Sequence, residues 1–244
     1  MNAAIVTART RGPALPEKNL YLVGGRPLVD YPIRAALEAR RVDRVYCSTD
    51  GDDIADVARE LGCEIIRRPE GVAGDVPHAV VIRHAVEEVA RRTGRVDLVA
   101  ILLGNTVAVD APLIDQAMGR LAAEPRLSGV MSVWRAQDDH PLRALAMDND
   151  GLLRPYGGAR DVSSSRQTYP ACYYYDQGVW AFRAEWGLQN QGPNPWTWMG
   201  PRCAAIERPW VTGRDVHTDL DVAVSEWMVT REIPCMAPAR EEDA

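Results

Sequence analysis

The sequence predicts an α/β fold, a mostly parallel sheet covered by helices on both faces. Two observations carry the prediction. Short apolar runs of strand length alternate with amphipathic helical patterns from the N-terminus to about residue 134. The strongest run, Leu98-Val99-Ala100-Ile101-Leu102-Leu103, is apolar at every position, as a strand buried on both faces requires.

The elements follow in order. Ala3-Ala4-Ile5-Val6-Thr7 reads as a first strand, followed by a loop rich in Arg, Gly and Pro over residues 8–25. Pro27 then opens a helical pattern through Leu28, Val29, Ile33, Ala36 and Leu37. Arg44 to Ser48 is a second strand, with Asp50 as the expected N-cap of a helix carrying Ile54, Val57, Ala58 and Leu61. A third strand covers residues 63–66. A helix from His78 to Arg92 places Val81, Ile82, Ala85, Val86 and Val89 on one side. After the 98–103 strand come a helix over residues 112–123 and a strand over residues 129–134.

From residue 138 to 176 the alternation stops. Turns (Asp150-Gly151, Gly157-Gly158) and a polar stretch over residues 161–167 replace it. We read residues 138–176 as an inserted dimerisation and acceptor arm. Residues 1–137 and 177–235 form the α/β domain, and residues 236–244 a frayed tail. Residues 176–182 return to strand. A last helix over residues 219–231 carries Leu220, Ala223, Val224, Trp227 and Met228.

Composition narrows the function. The 244 residues carry a net charge of −6 with no basic block, which argues against a nucleic-acid backbone binder. No run approaches the roughly 20 apolar residues of a membrane span. Five scattered cysteines lack a Cys-x-x-Cys pair, and the N-terminus lacks a basic, then apolar leader. A cytoplasmic protein with reduced thiols is expected. Of 28 basic residues only Lys18 is a lysine. Lys is a compact ammonium and Arg a planar fork, so a phosphate site that needs a point charge would retain it.

Sheets of this kind bind ligands at the carboxyl ends of strands. The loop after Thr7 collects Arg9, Arg11, Gly12 and Lys18. It matches neither a P-loop nor a Gly-x-Gly-x-x-Gly fingerprint. Three cations and a glycine on such a loop still suit a triphosphate. A solvated basic loop is the plain alternative. Tyr173-Tyr174-Tyr175 and Trp180 suit a sugar pocket or, equally, ordinary strand packing. His78, His84 and His140 have no metal-ligand spacing.

Taken in order, these segments resemble the acylneuraminate cytidylyltransferases, the CMP-sialic acid synthetases and related CMP-ulosonate synthetases. The matching pieces are Ala8-Arg9; Pro16-Glu17-Lys18-Asn19-Leu20; Gly25-Arg26-Pro27-Leu28-Val29; Ser48-Thr49-Asp50-Gly51; Arg68-Pro69 with Ala73-Gly74-Asp75. They continue through His140-Pro141-Leu142-Arg143; Arg166-Gln167 with Pro170; Gly178-Val179-Trp180; and Asp215-Val216-His217-Thr218-Asp219-Leu220-Asp221.

The resemblance implies a Rossmann-like nucleotidyltransferase. It would transfer CMP from CTP to a 2-keto acid sugar, a nonulosonic acid such as a sialic acid, with Mg²⁺ and as a homodimer. Arg9, Lys18 and Asp215 would be catalytic, with Asp215 the Mg²⁺ ligand. Ala8, Arg11, Gly12, Asn19, Arg68 and Asp75 would complete the nucleotide site. Asn105, Thr106, Arg143, Arg166, Gln167, Tyr175 and Gln177 would contact the acceptor, Arg143 from the partner subunit.

The chain departs from the family pattern in four places. Gly12-Pro13 stands where relatives carry Ser-Lys. Gly104-Asn105-Thr106-Val107-Ala108 replaces Gln-Pro-Thr-Ser-Pro. Tyr175 stands where a basic residue is common. His217 replaces a second carboxylate, and imidazole is a poor ligand for hard Mg²⁺. The same transfer to an octulosonate or another specialised acid, or a nucleotide-binding homologue with impaired turnover, are therefore alternatives.

Overall fold

The computed structural model describes residues 1–10, 17–158 and 162–235, with the Arg166 side chain outside the description. In order the chain forms β1 (Asn2–Thr7), β2 (Leu22–Val23), β3 (Arg26–Pro27), α1 (Asp30–Glu38), β4 (Arg44–Thr49) and α2 (Asp52–Glu60). Next come β5 (Glu64–Arg67), α3 (His78–Thr93), β6 (Leu98–Leu103), α4 (Ala111–Ala123) and β7 (Gly129–Arg135). The chain closes with β8 (Leu145–Met147), β9 (Leu153–Pro155), β10 (Tyr173–Arg183), α5 (Ala184–Gln189), β11 (Cys203–Arg208) and α6 (Asp219–Thr230).

Seven strands make one sheet in the order β11-β7-β10-β6-β1-β4-β5. Among the described strands of this sheet only β10 runs antiparallel to its neighbours, so the sheet is mostly parallel as expected. The alternation of β1 explains the two-sided burial. Ala4 and Val6 pack with α1, α2 and α4, while Ala3 and Ile5 face α3 and α5. The α3 residues Val81, Ile82, Ala85, Val86 and Val89 are all buried, as their spacing predicts.

Several local expectations change. Pro27 does not open a helix: it pairs with Leu22 in a hairpin, and α1 begins at Asp30. The signal was Gly24-Gly25, whose φ of 56° and 75° suit a two-residue turn. Asp50 is not the N-cap of α2, a place taken by Gly51. Its carboxylate instead accepts from Thr10 N at 2.8 Å and Gly74 N at 3.1 Å, joining two loops. On α6 Met228 is buried, but Leu220 and Trp227 are exposed. Strand β10 starts at Tyr173, inside the span assigned to the arm, and pairs there with Arg135. The short α5 and the edge strand β11 lacked a strong periodic signal. The expected frayed tail, residues 236–244, lies outside the described residues.

Candidate active site

A cleft of about 270 Å³ opens at the carboxyl ends of β1 and β6, lined by Thr7, Arg9, Lys18, Asn19, Arg68, Gly74, Asp75, Val76, His78, Val81, Leu103, Asn105 and Asp215. The parallel register sets Thr7 beside Leu103, so both strands stop at the same wall. The loop after β1 and the turn after β6 pack closely. A Cβ on Gly104 would lie 2.8 Å from Ala8 Cβ and 3.0 Å from Asn19 Oδ1, which accounts for a glycine there. Ala8 itself is buried, its N–H donating to Ser48 O at 3.1 Å. It shapes the floor through its backbone.

Each polar wall residue is held. Asn19 Nδ2 donates to Arg9 O at 2.7 Å, fixing the start of the loop. Arg68 donates to Ser48 Oγ at 3.0 Å and Ser48 O at 2.7 Å. Burial lowers its pKa, yet a guanidinium stays charged. Arg9 meets the exposed Asp75 carboxylate at 2.8 Å across the mouth. Lys18 is buried and donates to Val216 O at 3.2 Å. Burial lowers its pKa and the nearby Asp215 carboxylate opposes that shift.

Asn105 holds the same segment before α6 that Lys18 bonds. Its Nδ2 donates to Asp215 Oδ2 at 2.8 Å and to Val216 O at 3.2 Å. His217 Nδ1 sits 3.3 Å from Asp215 Oδ1, with its ring half exposed. Asp221 is engaged in the helix itself. With Thr218 it forms the capping box of α6, and it also accepts from His217 N at 3.1 Å. Thr106 is buried, its hydroxyl bridging Ala108 N at 3.0 Å and Arg214 O at 3.3 Å. That hydroxyl holds the turn that presents Asn105.

The expected residues are thus only partly brought together. Arg9, Lys18, Asn19, Arg68, Asp75, Asn105 and Asp215 share the cleft. Arg11 and Gly12 lie outside the described residues. Arg143 is in the arm, donating to Asp138 at 3.1 Å. Arg166 and Gln167 belong to a one-turn helix, Arg166–Thr168. Gln167 lines a second cleft of about 270 Å³ with Arg135, Gln137, His140 and Tyr169. Tyr175 and Gln177 flank the start of a bulge in β10, where Gln177 Oε1 is buried with no hydrogen-bond partner among the described residues.

Sequence reasoning missed His78. It opens α3, lines the cleft and contacts Thr7 Oγ1 at 3.2 Å through Nε2. Burial, with Arg68 and Arg9 adding to it, pushes its pKa down to about 4. The ring is neutral near pH 7. Its only signal was a histidine directly after Pro77 at a helix start.

The family model described as Cytidylyltransferase matches residues 3–137, from β1 to just past β7. The chain belongs to the cytidylyltransferase family. N-acylneuraminate cytidylyltransferase B of Danio rerio is 28% identical over 235 residues, 94% of this chain and 51% of its own length. N-acylneuraminate cytidylyltransferase of Oncorhynchus mykiss is 34% identical over 133 residues, 54% of this chain and 30% of its own length. The chain therefore spans about half or less of the length of these animal relatives. A 3-deoxy-manno-octulosonate cytidylyltransferase of Chlorobium phaeobacteroides is 28% identical over 193 residues, 74% of this chain and 73% of its own. The solved CMP:2-keto-3-deoxy-manno-octonic acid synthetase shares the fold, with a TM-score of 0.69 at 15% identity over 95% of this chain and 99% of its own. No described helix is long and apolar enough to cross a membrane.

Proposed function

We propose that this chain transfers CMP from CTP to a hydroxyl of a nonulosonic acid, a 2-keto sugar acid such as a sialic acid, and releases pyrophosphate. The observation that carries the reading is the convergence of Arg9, Lys18 and Arg68 with Asp215 in one cleft at the strand ends. An acceptor oxygen attacks the α-phosphorus, the bond from that phosphorus to the bridging oxygen breaks with its electron pair leaving on pyrophosphate, and the proton of the acceptor hydroxyl passes to water. Such transfers depend on positioning and charge neutralisation. Arg9 and Lys18 offset the negative charge that grows on the leaving pyrophosphate. Lys18, tied to Val216 O, carries its ammonium into the cleft beside Asp215.

The donor set fits a hard divalent cation. Asp215 offers carboxylate oxygens at the cleft wall, oriented by Asn105 and His217. Mg²⁺ held by one carboxylate and substrate phosphates is an ordinary arrangement. Asp215 would hold the ion there, and the ion would withdraw charge from the phosphate oxygens. The His217 ring nitrogen is directed at Asp215, which suits an orienting partner better than a ligand.

The β8–β9 hairpin exposes Leu145, Met147, Leu152 and Leu153, and we read it as the contact of a homodimer. Five unpaired cysteines suit a reducing, cytoplasmic setting. Transfer to an octulosonate is the second reading, favoured by the match to the Chlorobium enzyme across most of both chains. Pyrophosphate release, measured with each of the four ribonucleoside triphosphates and a panel of ulosonic acids, tests both readings. Release is expected with CTP and a nonulosonic acid together. Equal turnover with ATP or GTP overturns the cytidylyl assignment, and a preference for octulosonate selects the second reading.

A further inference from the structure

Three loops at the strand ends meet on one carboxylate. The register sets Thr7 beside Ser48 and Thr49 beside Arg67, so β1, β4 and β5 stop level with one another. Asp50 stands on the turn after β4. Its Oδ1 accepts from Thr10 N at 2.8 Å and from Thr10 Oγ1 at 3.2 Å, in the loop after β1. Its Oδ2 accepts from Gly74 N at 3.1 Å, in the loop after β5. The two oxygens thus serve different walls of the cleft. Thr10 follows the cleft residue Arg9, and Gly74 itself lines the cleft beside Asp75.

The turn that carries Asp50 is held on both sides. Thr49 is fully buried, and its hydroxyl accepts from Gly51 N at 3.1 Å. Arg67 Nη1 donates to Gly51 O at 2.9 Å, and Arg68 N donates to Thr49 O at 3.1 Å. Gly51 leaves the space that Thr10 fills, since a Cβ there would run into Thr10 Oγ1. Burial opposes ionisation of Asp50, but the amides of Thr10 and Gly74 and the charge of Arg68 hold its carboxyl below the usual carboxylate range.

A second link between the same two loops differs in kind. Arg9 Nη1 reaches Asp75 at 2.8 Å, with the Asp75 side chain 96% exposed. An exposed pair of this sort holds little. A triphosphate that takes up the Arg9 guanidinium also displaces Asp75 from it. The Asp50 bonds do not involve that guanidinium and stay made through the exchange.

Resting on the CMP-transfer reading, we propose that Asp50 is a positioning residue: it clamps the loop after β1 to the loop after β5 and so aims Arg9 at the triphosphate of CTP. Both carboxylate oxygens are used. Asparagine has one acceptor oxygen, so it can hold one loop while its amide nitrogen turns a donor toward the N–H of the other. A carboxylate acting only through its charge would repel the triphosphate, and its removal would tighten CTP. Loss of a clamp loosens CTP instead.

The experiment measures the Kd of CTP with Mg²⁺ by calorimetry, without acceptor, alongside thermal melts. Asp50→Asn is expected to weaken CTP at least about fivefold, because a misaimed contact must be reordered on binding. Gly51→Ala keeps the carboxylate but displaces the Thr10 hydroxyl, and it should weaken CTP in the same direction. Asp52→Asn removes a nearby exposed charge outside the cleft and should stay within about twofold. In an Arg9→Ala background Asp50→Asn should add less than about twofold, because the group it aims is gone. Tighter or unchanged binding in Asp50→Asn, or a full additional loss in the Arg9→Ala background, overturns this inference and leaves CMP transfer standing. If Asp50→Asn does not melt cooperatively, Gly51→Ala decides, and unchanged binding there overturns the clamp. A parent chain that binds no CTP overturns both.

Discussion

Arg208 and Asp176 form a fully buried ion pair, Nε to Oδ2 at 2.8 Å, with both side chains at 0% exposure. Each guanidinium nitrogen donates once: beside the Nε bond to Asp176, Nη1 donates to Ala108 O and Nη2 to Thr212 O, each at 2.6 Å. Asp176 also accepts from Ser132 Oγ and from Gly178 N. One side chain thus ties the β10 bulge to the turn that carries Asn105 and to the segment that leads to Asp215. A Cβ on Gly178 would sit 2.6 Å from Arg208 Nη1, so the glycine makes room for the guanidinium. Breaking a buried pair strands the other charge. Arg208→Met is expected to lower unfolding free energy by about 3–5 kcal/mol in urea titration. A loss under about 1 kcal/mol would contradict the buried pair.

Lys18 and Arg9 should separate in stability and agree in turnover. Lys18 is buried and bonded to Val216 O, whereas Arg9 pairs with an exposed Asp75 at the mouth. Lys18→Met should cost about 1 kcal/mol of stability for the lost bond, and Arg9→Ala less. Both should lower turnover at least about tenfold if, as proposed, each places its charge toward the leaving pyrophosphate. Steady-state rates and thermal melts on the two variants check this, and unchanged rates in either count against the triphosphate role.

Asp215 and His217 should differ in metal dependence. Asp215→Ala removes one of the two carboxylates that line the cleft, the one beside Lys18, and should abolish Mg²⁺-dependent turnover. His217→Ala removes only a neighbour 3.3 Å from Asp215 Oδ1 and should retain substantial activity. A Mg²⁺ and Mn²⁺ titration on both variants decides the matter. Strict dependence of the parent on the softer ion would make the imidazole a direct ligand.

His78 links stability to pH. Its folded pKa is about 4 against an ordinary 6.5, so the unfolded chain binds a proton that the fold rejects. Above pH 6.5 neither state is charged and nothing is lost. As pH falls from 6.5 toward 4 the unfolded state gains, and stability drops by up to about 3 kcal/mol. His78→Gln should flatten that part of the profile in denaturant titrations at several pH values. An identical slope in the variant would assign the effect elsewhere.

The hairpin predicts assembly. Leu145 is 57%, Met147 72% and Leu153 62% exposed on β8 and β9. Sedimentation at micromolar concentration should find a dimer, and Leu145→Glu with Leu153→Glu should leave a monomer. A fully active monomeric parent would refute the arm's role.

The sheet and the helix faces are legible in the chain alone. Runs such as residues 98–103 and the 3.6-residue spacing of Val81, Ile82, Ala85, Val86 and Val89 report burial directly, because burial selects for apolar residues at fixed periods. Ordered motifs also point to Arg9, Lys18, Arg68 and Asp215. Which of these residues meet is settled by the three-dimensional fold. Lys18 and Val216 touch across 198 positions, and Asn105 and Asp215 across 110. Such contacts leave no periodic trace in the chain. The same limit hid His78, which reads as any helix-opening histidine until Thr7, Trp180 and Trp198 surround it. It also hid Asp50, whose acidic side chain before a helix looks like a cap. Thr10 and Gly74 bring their amides to that carboxylate only because two loops meet at the strand ends.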